Sequence, residues 1–346
     1  MLSGGRSLIS LSSLACAEGA LLSSFMRDNR STSEPRREAS PVLLGALGVL
    51  SFSVTFPATT AAEQSFNPVL VGVGRTVIGA AVGAAVLAAR RERLLPPRER
   101  LLSFLVTGLA VGMGFGLLGA LALRHVSSVH GAVLTGLIPV ATAGAAVLRA
   151  GEAPRAGYWL TLALGLAVVV GFAVIEGGGR LRSADVMLLA AIAVGGIGYT
   201  EGGVLAREYG GWRVISWALI VTLPISLPIT IAAGVASSPR PVSAGSVLAL
   251  AYIGVVPMCL GFFAWYQGLA RGGVARIGRL QLAQPALTLG WSVVLLGEHV
   301  TWLSAVAAAA VIAVTAVGRN ARVDQRAPVA LPFGRARAEE VPATHG

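Results

Sequence analysis

The chain has 346 residues, of which 55% are hydrophobic and only 12% charged, and its 27 basic residues, all arginine, against 16 acidic ones give a formal net charge of +11. An average soluble domain carries roughly 25% charged residues, so this composition cannot clothe a water-facing surface and excludes a soluble globular protein. The positive balance does not point to nucleic acid, because most arginines lie in short segments between apolar runs, where their bland role is to set orientation in a bilayer.

Residues 1–40 are weakly hydrophobic and contain Ser and Arg. Leu8 to Phe25 is signal-peptide-like in length, but Glu18 interrupts it and no small-residue cleavage site follows. A disordered cytoplasmic tail is the expectation, with Met26 as an alternative start. Cys16 in this tail and Cys259 in a later apolar run make neither a disulfide framework nor a metal site.

Apolar runs then follow at about 41–61, 68–89, 101–123, 126–148, 156–175, 185–206, 212–236, 246–269, 274–297 and 300–318. Each is close to the roughly 20 residues that span a hydrocarbon core. Helices are expected, since an open sheet edge cannot sit in lipid and the alternation of a barrel is missing. Residues 319–346, with Pro, Arg and Glu, read as a second disordered tail. With both termini inside, 22 arginines fall on the cytoplasmic side and 4 outside, with Arg75 alone within a span. The expectation is a multi-pass protein of the cell membrane with both termini cytoplasmic.

The chain also repeats itself. Leu137-Ile138-Pro139-Val140 leads to Gly151-Glu152, and Gln284-Pro285-Ala286-Leu287 leads to Gly297-Glu298. In each copy Glu follows Pro by 13 residues (152 − 139 and 298 − 285), and one offset of 146 (285 − 139) relates the copies. Leu121-Ala122-Leu123 and Gln267-Gly268-Leu269 stand at the same offset. Five spans per unit is an odd number, so the second unit enters the membrane upside down relative to the first. The predicted fold is an all-α polytopic membrane protein of ten transmembrane helices in two inverted five-helix repeats, 41–175 and 185–318. Two such halves rock about a midplane site in secondary transporters.

These features together resemble the EamA family of the drug/metabolite transporter superfamily: the five-plus-five layout, Leu296-Gly297-Glu298 before another span, its counterpart Gly151-Glu152-Ala153-Pro154, and Gln284-Pro285. The resemblance covers about residues 41–318. It implies a central cavity between the halves, cytoplasmic termini and export of amino acids or other small metabolites, without naming one. Small multidrug-resistance relatives carry a membrane-embedded Glu in the first helix. Here the first span holds only Glu63, near its outer end, so that coupling scheme does not carry over.

Candidate site residues are the polar and aromatic side chains within spans. Glu201 is the one carboxylate well inside a span, where a charge costs roughly 3 kcal/mol. It reads as a proton or substrate-amine site, or as a structural group reaching Arg207. Arg75 could fork a substrate carboxylate or pair with Glu63 or Glu201. Gln281, Gln284 and Thr288 share one helical face, and Pro285 is expected to free the carbonyl of Gln281. They line a cavity or bond between helices. Thr135 and Pro139 are their counterparts in the fourth span. His130 reads as polar packing before proton relay. Tyr199 accompanies Glu201. Trp265, with Tyr266 and Gln267, forms a cavity wall or an interface belt, the belt being the simpler reading. Phe52, Phe56 and Pro57 are further wall candidates. Gly108, Gly112 and Gly116 make a small-xxx-small stripe for close helix packing inside the protein, and a homodimer is the other use of such a stripe.

No cofactor or metal motif occurs. The expected partners are a small-molecule substrate and the lipid bilayer. The leading reading is an exporter of small amino-acid-like metabolites. Export of lipophilic cations is the rival within transport, and an integral-membrane enzyme or lipid-handling protein the rival outside it.

Overall fold

A computed structural model describes residues 39–150, 153–154, 156–237, 241–272, 277–318 and 323–324. Both expected tails lie almost wholly outside the described residues, as do Glu152 and Arg276. We label the helical rods α1 (Pro41–Glu63), α2 (Pro68–Ala89), α3 (Arg98–Leu123), α4 (Ser128–Thr135, then Ile138–Ala150), α5 (Ala156–Glu176), α6 (Ser183–Tyr209), α7 (Gly211–Val235), α8 (Ala244–Gly272), α9 (Gly278–Leu296) and α10 (Trp302–Gly318). Among the described residues, seven helices are long and apolar enough to cross a membrane, and shorter apolar helices lie at Ala163–Glu176, Leu280–Leu296 and Trp302–Val314. Strand pairing among the described residues is one two-residue ladder, Ala153–Pro154 with Val323–Asp324.

Helix boundaries follow local chemistry. Ser40 and Asn67 accept the first free N–H groups of α1 and α2, each ahead of a proline in the first turn. The α1 ladder breaks at Val54 and that of α4 at Gly136–Leu137. Both α3 and α8 widen into π-helical turns in mid-span, Gly108–Gly114 and Val256–Gly261. The 146 offset reappears in these boundaries: 244 − 98 for the starts of α8 and α3, 284 − 138 for the α-helical starts after the breaks in α9 and α4, and 302 − 156 for α10 and α5. Packing repeats as well. α2 lies on α7, α4 on α9 and α5 on α10, while α1 lies on α8 as α3 lies on α6.

Polar contacts gather helix ends at two opposite ends of the bundle. At one, Ser246 Oγ donates to the Ala61 carbonyl (2.9 Å), the Ser243 N–H donates to Ser65 Oγ (3.2 Å), and Glu298 meets Ser128. At the other, Arg213 pairs with Glu92, Arg100 lies 3.4 Å from Glu208, and the Trp217 indole donates to the Arg93 carbonyl (2.7 Å). The outside is clad in apolar side chains such as Leu160, Ile175, Ile197, Ile231 and Val294. Buried polar groups such as Arg75, Thr76, Gln281 and Gln284 lie within. That inside-out distribution is what lipid as solvent selects.

The glycine stripe of α3 is used up inside the molecule. A Cβ on Gly108 would meet the Ala218 carbonyl at 2.2 Å, one on Gly112 the Thr76 side chain at 3.0 Å, and one on Gly116 the Gly72 carbonyl at 2.4 Å. The stripe therefore seats α3 against α2 and α7.

Candidate functional site

A narrow cleft, whose roughly 480 Å³ of non-atom space includes open solvent, lies at the junction of the two halves of the chain. Phe52, Thr55 and Phe56 of α1, Arg75 of α2, Val111 and Phe115 of α3 and Thr135 of α4 face Gly195 and Tyr199 of α6, Pro257, Met258 and Phe262 of α8, and Gln284 and Thr288 of α9. Each half supplies seven of these residues. Both π-helical turns reach the wall, through Val111 and through Pro257 and Met258, which is where irregular backbone is tolerated at membrane depth. The wall is mostly aromatic and apolar, with Phe52 stacked near Tyr199 (5.9 Å between ring centroids) and Phe56 near Phe115 (5.9 Å).

Arg75 is the charge in this setting. It is 4% exposed, and no carboxylate among the described residues lies within ion-pair distance of it. Local sequence explains how it is held. In the π turn the Phe115 N–H bonds Ala110, five residues back, instead of Val111. The Val111 carbonyl accepts from Arg75 Nη2 instead (3.0 Å). Gly116 leaves room for the guanidinium, since a Cβ there would sit 2.4 Å from Arg75 Nε, and the Phe115 ring lies 5.7 Å from its Cζ. Nε itself has no acceptor among the described residues. Neither Glu63 nor Glu201 pairs with it. A desolvated cation braced by one carbonyl and one ring is poised for an anionic group from a ligand.

The chain matches the EamA-like transporter family twice, over residues 39–174 and 182–317. It belongs to that family. The match spans both halves of the bundle. The uncharacterized transporter YdeK of Bacillus subtilis (strain 168) is 44% identical over 280 residues, covering 80% of this chain and 96% of that one. A protein of Streptantibioticus cattleyicolor named a probable terminal-alkyne amino-acid exporter is 28% identical over 262 residues, 73% of this chain and 84% of that one. A solved crystal structure superposes with a TM-score of 0.58 at 23% identity, covering 80% of this chain and 95% of that one, a likeness of fold. This EamA chain is a multi-pass membrane transporter, not an enzyme.

Of the residues singled out in the sequence, the EamA cleft brings together Phe56, Arg75, Thr135, Tyr199 and Gln284, along with Phe52 and Thr288. Glu201, Trp265, Gln281 and Pro285 are off its wall, all buried. Trp265 is 1% exposed and Tyr266 0%, with the Tyr266 hydroxyl donating to the Gly198 carbonyl (3.0 Å), so neither is a belt anchor. The carbonyl of Gln281 is not freed. Residues Gly278–Ala283 form a 3-10 turn in which the Gln284 N–H bonds that carbonyl, and Pro285 sits harmlessly in the first turn of the α-helix that follows.

Sequence reasoning missed Thr55, Val111, Phe115, Gly195, Pro257, Met258 and Phe262. Pro257 alone carried a signal, as a proline within an apolar run; a Phe or Met in such a run looks the same whether it faces lipid or a cleft. The Gly-Glu motif proves structural in its second copy. Gly297 adopts φ +68° and ends α9, and the Glu298 carboxylate then accepts from the N–H groups of Ser128 (3.1 Å) and Val129 (2.9 Å) and from Ser128 Oγ (2.9 Å). His130 likewise ties helices together. One ring nitrogen meets Glu176 of α5 and the other lies 2.6 Å from Asp185 of α6, away from the cleft wall.

Proposed function

We propose that this EamA chain is a secondary transporter of the cell membrane that exports small metabolites such as amino acids by alternating access between two inverted five-helix repeats. The observation that carries the reading is Arg75: a buried guanidinium, without a carboxylate partner among the described residues, on the wall of a cleft to which the two halves contribute equally. A soluble anion, above all a carboxylate, supplies what that cation lacks. Inversion is supported by the 146-residue register of helix starts and by the opposite direction in which α1 and α6 run between the two sets of end contacts. Cytoplasmic termini are supported by the arginine bias, since the end that holds Arg93, Arg100 and Arg213 is the arginine-rich one. The relative named as an amino-acid exporter is consistent with the same solute class.

Export of lipophilic cations is the weaker reading, because the described wall carries a cation and no carboxylate. Flux of radiolabelled amino acids and organic cations in proteoliposomes tests the choice. Carboxylate-bearing solutes are expected to move, and to stop moving in Arg75→Gln. Transport of cations alone would overturn the proposal.

A further inference from the structure

The sequence Arg-Glu-Arg-Leu-Leu occurs twice in close succession, at 91–95 and 98–102, with Pro96 and Pro97 between the copies. The second copy opens α3, and its Leu101 and Leu102, 43% and 53% exposed, begin the lipid-facing side of that span. The first copy falls in the loop between α2, which ends at Ala89, and α3, which begins at Arg98. So short a connection between two spans stays at the membrane surface. Leu94 and Leu95 in this loop are as exposed as the leucines of the span, at 50% and 62%. The loop is also held down from behind. The Glu92 carboxylate pairs with Arg213, the Arg93 carbonyl accepts from the Trp217 indole (2.7 Å), and Pro96 is buried. Arg90 and Arg213 both lie over the Trp212 ring, at 5.9 and 4.6 Å.

What the loop displays is positive charge beside apolar surface. The Glu92 N–H closes the end of α2 on the Leu87 carbonyl (2.9 Å), and Arg91 takes φ +57°, the left-handed position that glycine usually fills in such a turn. Nearby acids are engaged by other arginines, Glu92 by Arg213 and Glu208 by Arg100 at 3.4 Å. Arg91, Arg93 and Arg98 are exposed and have no carboxylate partner among the described residues, with Glu99 the one exposed acid of this segment. We infer that the α2–α3 loop is a docking site for anionic phospholipids, with Arg91, Arg93 and Arg98 on the headgroup phosphates and Leu94 and Leu95 at the acyl boundary. Positive charge next to the bilayer favours anionic over zwitterionic headgroups. The leucine pair favours a lipid over a free phosphate, which has no chain to cover it. This surface lies outside the cleft and does not depend on which solute the cleft carries.

The test follows the melting temperature of the purified full chain in detergent as phosphatidylglycerol, phosphatidylcholine or glycerol 3-phosphate is added. Phosphatidylglycerol is expected to stabilise at concentrations about tenfold below those of phosphatidylcholine, and less so as salt rises. Glycerol 3-phosphate, which has no acyl chains, is expected to give no shift. The triple variant Arg91→Gln, Arg93→Gln, Arg98→Gln keeps the backbone contacts of the loop, so it is expected to melt as the wild type without lipid and to lose the phosphatidylglycerol preference. Arg180→Gln, at an exposed arginine between α5 and α6, is expected to keep it. Equal stabilisation by the two phospholipids, or a preference that survives the triple substitution, would overturn the site. A shift with glycerol 3-phosphate equal to that with the lipid would overturn the lipid as occupant in favour of a free phosphate. A second readout addresses the leucines. In a background lacking Cys16, Leu95→Cys carrying an environment-sensitive fluorophore is expected to emit further to the blue in phosphatidylglycerol nanodiscs than in detergent without lipid. Water-like emission in the nanodiscs would overturn the placement of the leucine pair.

Discussion

Arg75 can stay buried because three neighbours make its surroundings less than fully apolar. The Val111 carbonyl takes one N–H, Phe115 offers its ring face, and Gly116 withholds a side chain. Each can be tested. Lysine at position 75 keeps the charge but not the planar fork, so it cannot hold the Val111 carbonyl and a carboxylate together. Arg75→Lys is expected to lower amino-acid flux at least tenfold in proteoliposomes with little loss of folded protein; flux at the wild-type rate would mean that charge alone matters. Gly116→Ala places a methyl 2.4 Å from both Arg75 Nε and the Gly72 carbonyl, and the carbonyl is backbone that cannot swing away. Overpacking of this kind costs about 1–3 kcal/mol. A lower melting temperature and flux reduced as in Arg75→Gln are expected. An unchanged melting curve would show that α2 and α3 can part without penalty.

At the scale of elements, two side chains join helix ends that are far apart in sequence. Glu298 ends one helix pair and begins another: Gly297 turns α9 off through a left-handed backbone, and the next residue satisfies the first N–H groups of α4. Removing a cap of this type costs about 0.5–2 kcal/mol. Glu298→Ala is expected to fall in that range by thermal or denaturant unfolding in detergent, and Glu298→Gln to lose less; equal stability of all three proteins would deny the cap. His130 stands between Glu176 and Asp185, with Asp185 fully buried. His130→Ala leaves that carboxylate with the backbone N–H of Arg182 as its hydrogen bond among the described residues and removes the imidazole that stands between it and Glu176. Breaking a buried charged set by removing one member costs roughly 3–5 kcal/mol. Poor recovery of folded protein is expected in size-exclusion chromatography, and normal recovery would show that the carboxylates find water or protons. Neither residue touches the cleft, so both effects belong to stability rather than to solute choice.

At the scale of the molecule, the cleft lies nearer the Ser128 end, and the groups one step toward the arginine-rich end, Glu201, Trp265, Tyr266 and Gln281, are closed over. By the 146 offset, Gln281 is the counterpart of cleft-lining Thr135, and Glu201 of cleft-lining Thr55. If the halves exchange roles during transport, the closed set becomes the wall of the opposite opening. In a background lacking Cys16, Thr135→Cys is expected to react with an impermeant maleimide from the Ser128 side and Gln281→Cys from the arginine-rich side, with a rise in one accompanying a fall in the other. Reaction of both from one side would refute the exchange. The unpaired Nε1 of Trp265 and Nε2 of Gln281 fit a surface built for a second state.

The sequence alone determined the membrane, the apolar helical segments, their 146-residue register and the arginine bias, because lipid imposes hydropathy on every crossing segment and a duplication copies it; that seven of the described helices are long enough to cross came from the structure. It also exposed Arg75 and Gln284, since polar groups at that depth are costly enough to stand out. Only the tertiary structure decided which apolar side chains meet. Phe115, Met258 and Phe262 are indistinguishable from lipid-facing residues until their helices pack, and the π turn that aims Val111 shifts a helical face in a way a fixed 3.6-residue period does not register. The role of Glu298 was hidden for a related reason: the N–H groups it satisfies lie some 170 residues away in the chain, and no local pattern encodes a contact made across two halves.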